Sequence, residues 1–322
     1  MQEKQEERLG SEPIGKLIVS MAVPSVAAQI INVLYNIIDR VYIGHIEGYG
    51  DMALTGVGVT FPILMLISAF SAFAGMGGAP LASIRMGRQE YDEAEDILGN
   101  SAGLLVLFAV MLTIVFSIFK TPILYAFGAS ENSITYAVDY ISVYLLGTIF
   151  VQIAVGLNTF ISGQGQAKIA MLSVLIGAVL NILLDPVFIF VLHMGVRGAA
   201  LATIISQAVS ALWILHFLTS QKSVIRLRLR KMRLKPSLVG KIASLGISPF
   251  IMQSTESLVS ITLNSGLQRY GGDLYVGTMS ILSSVMQLIV IPMQGVSQGV
   301  QPIISYNYGA KNGKRVKEAF FK

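Results

Sequence analysis

The sequence contains no cysteine, only three histidines and few charged residues, and these shortages exclude several kinds of protein. Without cysteine there are no disulfides, thiolate nucleophiles or cysteine metal sites, and three scattered histidines argue against a zinc site. Charged residues make up 13% of the 322 residues and hydrophobic ones 53%. That charged share is about half of what a soluble domain carries. Most of the surface is therefore expected to face lipid.

Catalytic signatures are also scarce. We find no phosphate-cradling loop, no Ser/His/Asp set and no intramembrane metal pair. The sequence therefore predicts a protein that is not an enzyme and that needs no cofactor. The net charge is +5, but its basic residues lie in the gaps between apolar runs. Membrane lipids, not nucleic acid, are the expected partner of that charge.

Long apolar runs dominate what the sequence does contain. A helix that crosses a bilayer core needs about 20 mostly apolar residues. A mixed-charge segment, 1–16, precedes the runs and is predicted to be cytoplasmic. Eight runs meet the length requirement, at 17–43, 52–83, 97–119, 134–161, 169–192, 198–218, 239–267 and 274–306.

Lysine and arginine are distributed unevenly between the two ends of these runs. If the N-terminus is cytoplasmic, 19 of the 23 basic residues fall in cytoplasmic segments, as the positive-inside rule requires. We predict a multi-pass protein of the cytoplasmic (inner) cell membrane. The most basic loop, Lys222–Lys235, is interpreted as a cytoplasmic linker, with an anionic-lipid or regulatory patch as the alternative.

An internal repeat relates the start and the end of the chain. The Gly, Pro, Ser and Gly of residues 77–87 recur at the same spacing in residues 299–309, and Pro24 is matched by Pro249. Runs seven and eight therefore resemble a second copy of runs one and two. A full second copy of a six-span unit needs four more spans, so we predict a C-terminally truncated fragment.

The predicted fold class follows from this repeat. We expect an all-α polytopic bundle with the two-lobed plan of a transporter. A complete six-helix first lobe covers 17–218, a basic linker covers 219–238, and a partial second lobe of two helices with an amphipathic segment covers 239–322.

Acidic residues inside the predicted spans are functional candidates, because a charge in the bilayer is costly. Asp39 and Asp185 both fall in the outer halves of their spans, and Asn181 shares a helix face with Asp185. Thr203 and Tyr140 lie at a similar depth on two further spans. Two carboxylates in a dry pocket cannot both stay charged cheaply, so either one holds a proton or a cation bridges them.

Sodium is the metal ion that this oxygen set suits, with Asp39, Asn181, Asp185 and Thr203 as ligands. Asp39 has a second interpretation, because it adjoins Arg40 and the pair could lie at a helix end with its charges in the interface. Glu256 is predicted near mid-depth on span seven, where it could bind a cationic substrate or a second coupling ion.

At these residues the chain resembles the multidrug and toxic compound extrusion (MATE) family. The resemblance implies a twelve-helix antiporter that rocks between inward-open and outward-open states and exports drugs or organic cations. It further implies that Asp39, Asn181, Asp185 and Thr203 form the coupling-cation site, and that Glu256 matches a span-seven carboxylate of other branches. The matching stretches are 36–39 with Gly44, 78–80 with Gly87, 163–165, 181–186, 198–200 with Thr203, 298–302 and 307–310.

The function predicted on this basis is proton- or sodium-coupled export of small cationic or amphipathic molecules by a monomer. A flippase for lipid-linked precursors on a related two-lobed plan is the alternative. That protein would need a more basic central cavity, whereas the deep charges here are acidic. A receptor-like bundle is the third interpretation, and it does not require acids at one shared depth.

Overall fold

The computed structural model describes residues 8–322, with side chains at all of these except 280, 284, 287–289 and 291. The described part of the chain is helical and contains no strand. A π-helical turn, Val187–Val191, extends α7, and a 3-10 turn, Leu229–Met232, lies in the linker. The helices are α1 (Ile14–Gly44), α2 (Gly50–Gly87), α3 (Tyr91–Ala126), α4 (Ile134–Leu146), α5 (Thr148–Gly156), α6 (Asn158–Gly163), α7 (Ala167–Pro186), α8 (Gly195–Thr219), α9 (Pro236–Gly309) and α10 (Gly313–Phe321).

Five helices are long and apolar enough to cross a membrane: α1, α2, α3, α7 with its π-helical extension, and α8. The bent pair formed by α4 and the α5–α6 segment can count as a sixth, with an angle of 64° between its halves. The bend falls at Gly147, between α4 and α5. The first six predicted spans therefore each coincide with one of these helices or with the bent pair, which confirms the all-α, multi-pass prediction.

The seventh and eighth predicted spans are the two arms of α9, which meet at Gly272. This glycine has φ 70° and ψ −168°, a backbone conformation that a residue with a Cβ rarely adopts. Next to it, the Asp273 carbonyl accepts a hydrogen bond from Thr55 near the start of α2. Gly246 and Gly309, on opposite arms, both pack against the second half of α2. The chain therefore reverses at Gly272 and the two arms run antiparallel.

The two copies of the repeat contact each other reciprocally. Gly87 lies against the carbonyl of Tyr306, and its counterpart Gly309 lies against the carbonyl of Ile84, the counterpart of Tyr306. A Cβ at either glycine would overlap that backbone oxygen. Such reciprocal contacts are what a two-fold relation between repeats produces. They support the repeat, whereas the division into six plus two helices stays a prediction.

The basic linker is attached to the start of α3 by ion pairs. Lys231 Nζ lies 2.6 Å from Asp92, 3.2 Å from Glu95 and 3.3 Å from Asp96. Lys235 pairs with Asp96 at 2.6 Å. Burial by itself lowers the pKa of the Lys231 ammonium, but its bonds to the three carboxylates outweigh this and raise that pKa. Part of the linker's charge is therefore neutralised within the chain.

Candidate functional site

Four helices bring the five predicted site residues together in the interior. Asp39 comes from α1, Tyr140 from α4, Asn181 and Asp185 from α7, and Thr203 from α8. All five side chains are buried, and Asp185 is 0% exposed. Sequence depth alone placed these residues at one level, and the helices also turn them toward one another.

Asn181 connects α7 to α8 within this cluster. Its Nδ2 atom donates to Asp185 Oδ1 at 3.2 Å and to Thr203 Oγ1 at 3.4 Å. Because Asn181 and Asp185 are four residues apart on a helix, their side chains stack on one face. One amide group therefore orients both a carboxylate and a hydroxyl.

The two acids meet across the α1–α7 interface. The carboxyl groups of Asp39 and Asp185 lie within hydrogen-bonding reach of each other. Neighbouring Arg40 lies over the Phe61 ring of α2, with 5.3 Å from its Cζ to the ring centroid. Asp39 is buried, with 7% of its surface exposed. This burial does not fit the second interpretation, in which Asp39 and Arg40 form a charge pair at the membrane interface.

Three oxygen atoms of this cluster have no hydrogen-bond donor anywhere in the described part of the chain. They are Asp39 Oδ1, Asn181 Oδ1 and Asp185 Oδ2. A buried acceptor left unpaired costs about 1–3 kcal/mol. Among the described residues, no third His, Asp or Glu joins the two acids to form a metal-binding group. The arrangement therefore suits a small cation or a shared proton, which offers positive charge to several oxygens at once.

Several neighbours of the cluster were not predicted from the sequence. The Tyr35 hydroxyl on α1 lies near the side chain of Gln207 on α8. Tyr144 stacks on Tyr140, with 6.1 Å between ring centroids, and Ser206 is buried one turn beyond Thr203. Their spacing of three or four residues from the predicted positions was the available signal, since such residues share a helix face.

Other polar candidates lie outside the cluster. Glu256 is exposed on the first arm of α9, and its neighbour Ser257 donates to the Pro62 carbonyl at 3.0 Å. The role predicted for Glu256 stays a prediction. Asn158 donates to the Ala170 carbonyl at 3.3 Å and accepts from Ser173 at 3.1 Å. Those bonds connect α6 to α7.

A pattern typical of serine hydrolases, GxSxG, does occur at residues 295–299. In those enzymes the serine occupies a sharp strand-to-helix turn. Here the five residues lie within α9, where Gly295 packs against Val26 and Gly299 against Ala22. The glycines therefore serve helix packing, and the pattern is no sign of hydrolysis.

A family model described as MatE matches residues 24–187 and 249–322. Among curated proteins, the multidrug export protein MepA of Staphylococcus haemolyticus (strain JCSC1435) is 26% identical over 305 residues, which are 95% of this chain and 67% of the relative. MepA of Staphylococcus aureus (strain MSSA476) is 26% identical over 307 residues, which are 94% of this chain and 66% of that protein.

Solved structures give a similar result. The MATE multidrug transporter DinF-BH, solved in complex with a small-molecule ligand, superposes with a TM-score of 0.93 at 37% identity, over 98% of this chain and 71% of that one. A multidrug resistance MATE family transporter of the MOP superfamily, in an outward-facing conformation, superposes with a TM-score of 0.88 at 27% identity, over 99% of this chain and 70% of that one.

The matches also show how the length of this chain compares with that of its relatives. This chain spans about two-thirds of the length of the curated relatives. The comparisons do not support the expectation that the chain is a C-terminally truncated fragment.

Proposed function

Because the chain belongs to the MatE family, we propose that it exports drugs or other organic cations across the cytoplasmic membrane in exchange for protons or sodium ions. The relatives named as multidrug export proteins support the transported class. The acidic character of the buried cluster supports cation coupling. A lipid-linked precursor flippase is not favoured, since the family matches are drug exporters and the deep charges are carboxylates.

The observation that carries the proposal is the pairing of Asp39 with Asp185 in the interior. Two adjacent carboxylates repel each other strongly in a low-dielectric interior. A proton shared between them, or a sodium ion bridging them, removes that repulsion and satisfies the unpaired oxygens. The pair is thus suited to take up one positive ion and to release it when the surroundings change.

Exchange follows if the loaded and empty pair favour different packing of α1 against α7 and α8. An ion shifts an equilibrium between two conformations only by its difference in affinity for them. The same rule holds for the drug, and linkage makes the coupling reciprocal. Two ligands that favour opposite conformations are therefore exchanged in an alternating-access cycle.

The remaining predicted features belong to the same proposal. The six helices of 17–218 act as one lobe, and the antiparallel arms of α9 contribute to a second lobe that faces it. The N-terminus lies in the cytoplasm, and the protein acts as a monomer. Glu256, exposed on α9, binds a cationic substrate or a second coupling ion.

A transport assay tests the proposal. The full chain is reconstituted in liposomes, and export of ethidium, a fluorescent organic cation, is followed under imposed proton and sodium gradients that are varied separately. Asp185→Asn is expected to abolish gradient-driven export, because an amide at this position cannot release a bound proton or provide a second negative charge. Asp139→Asn is the matched control. Asp139 is on α4 and pairs with Arg197 at 2.7 Å outside the cluster. Unchanged export by Asp185→Asn would overturn the proposal.

A further inference from the structure

A second polar layer lies one helical turn away from the acidic pair. Helices α7 and α8 are antiparallel, since Asn181 bonds Thr203 while Ser210 Oγ donates to the Ser173 carbonyl at 2.9 Å. A step of three residues beyond Thr203 therefore reaches Ser206, on the side of the cluster toward the end of α8. Residues one turn apart on a helix are about 5–6 Å apart.

Helix α1 contributes to the same layer. Tyr35 precedes Asp39 by one turn, and its hydroxyl lies near the side chain of Gln207, the residue after Ser206. The same tyrosine lies near enough to Asp39 and Asp185 to interact electrostatically with both. The second layer is therefore continuous with the acidic pair and is not a separate patch.

Ser206 is the unusual member of this layer. It is 3% exposed, and its hydroxyl has no hydrogen-bond partner within residues 8–322. Several buried helical serines elsewhere in the chain donate to a carbonyl, as Ser71 does to Ile67 and Ser83 does to Ala79, although Ser101 on α3 does not. One turn further along α8, Ser210 also has such a partner. Ser206 makes no such bond, and it lies one helical turn from the cluster of unpaired acceptor oxygens.

The kind of ligand follows from the number of unpaired oxygens. A proton held between Asp39 and Asp185 joins one oxygen of each and leaves Asn181 Oδ1 and Ser206 Oγ unsatisfied. A hard metal cation binds several oxygens at once, and hydroxyl, amide and carboxylate oxygens are the ligands it prefers. A metal cation can therefore use the amide oxygen beside the acids and, one turn away, the hydroxyl, which a shared proton cannot do.

We propose that Ser206 Oγ is a further ligand for sodium, reached when the ion moves from the acidic pair toward the end of α8. The inference rests on the proposed function and adds the identity of the ion and one residue to it. A ligand role and a purely structural role for Ser206 predict different effects of removing its hydroxyl. Removing an unpaired buried hydroxyl from a purely structural position is neutral or stabilising, whereas removing a ligand weakens sodium binding.

Sodium titration of the purified full chain tests this ligand. Thermal unfolding is recorded at fixed pH while sodium chloride replaces choline chloride at constant ionic strength. Ser206→Ala is expected to raise the half-saturating sodium concentration about tenfold, the usual worth of one good polar contact, and to leave the sodium-free Tm unchanged or higher. Ser206→Thr should restore wild-type affinity.

Two further variants separate binding from packing. Ser206→Cys keeps the side-chain shape but offers a soft sulfur, so it should behave like Ser206→Ala even if alanine disturbs the fold. Ser210→Ala is the control, since it loses the bond to Ser173 and should lower the sodium-free Tm while leaving the sodium dependence unchanged.

The remaining outcomes distinguish failure of the inference from failure of the proposed function. If Ser206→Ala and Ser206→Cys titrate like the wild type, Ser206 is not a ligand and the inference is overturned. If the wild type shows no sodium response while proton-driven ethidium export still requires Asp185, the inference fails and cation-coupled export stands. If export does not require Asp185, the proposed function itself fails.

Discussion

Gly87 at the end of α2 and Gly309 at the end of α9 are equivalent residues of the two repeats, and each packs on the backbone beside the other. Gly87 contacts the Tyr306 carbonyl and Gly309 contacts the Ile84 carbonyl. Neither position has room for a Cβ, because the atom in the way is backbone oxygen. The repeat thus serves to bring two helix ends into close contact.

Gly87→Ala is expected to destabilise the chain by about 1–3 kcal/mol, the usual cost of overpacking. The added methyl group forces the ends of α2 and α9 apart, which thermal or denaturant unfolding in detergent measures. Gly240→Ala is the matched control, since nothing lies within 4 Å of a Cβ there. Alanine is favoured over glycine in a helix, so the control should be neutral or slightly stabilising. Equal stability of both variants would contradict the close contact.

Asn181→Ala is expected to reduce gradient-driven ethidium export about tenfold or more, because positioning groups around a bound ion typically contribute this much. The variant leaves Asp185 Oδ1 and Thr203 Oγ1 without the amide that orients them. Initial export rates in liposomes provide the measurement. Asn158→Ala is the comparison, because its amide bonds to α7 outside the cluster. If the two alanine variants lost equal transport, the orienting role of Asn181 would be wrong.

Lys231→Met is expected to lower the free energy of unfolding by about 1–3 kcal/mol, as expected for lost hydrogen bonds to charged groups. The change leaves Asp92, Glu95 and Asp96 close together without the ammonium that separates their charges. Unfolding in detergent should also become more sensitive to salt, which screens the remaining repulsion.

Arg230→Met is the control for Lys231→Met. Arg230 lies one residue away in the same 3-10 turn, and its side chain is exposed. Substitutions at such surface positions usually change stability by less than about 0.5 kcal/mol. A loss at Arg230 as large as that at Lys231 would mean that total linker charge matters and the individual ion pairs do not.

Arg197→Ala is expected to change the stability very little, because exposed ion pairs are weak and are screened by salt. Its guanidinium bonds Asp139 at 2.7 Å and joins α8 to α4, but the arginine side chain is 61% exposed. A double-mutant cycle with Asp139→Asn at low and high salt measures the coupling energy. A strong coupling, or one that does not change with salt, would indicate a more buried pair than the structure has.

The candidate site shows most clearly how much of the structure could be predicted from the sequence. Depth along each span was enough to group Asp39, Asn181, Asp185 and Thr203, because a bilayer ties residue number to depth. Ser206 was missed since serine is common in membrane helices and usually bonds a carbonyl of its own helix. Whether a hydroxyl is unpaired depends on its neighbours, and those come from other helices.

The sequence by itself determined that the chain is a bundle of apolar helices, where its acids lie in depth, and that its ends repeat. These properties follow from local composition and spacing, which act within one helix. Only the tertiary structure decided that Asp39 faces α7 while Arg40 lies on Phe61, that Gly272 reverses α9, and that Ser206 has no partner among the described residues. The rotation of a helix about its axis is set by packing against its neighbours, and no single helix contains that information.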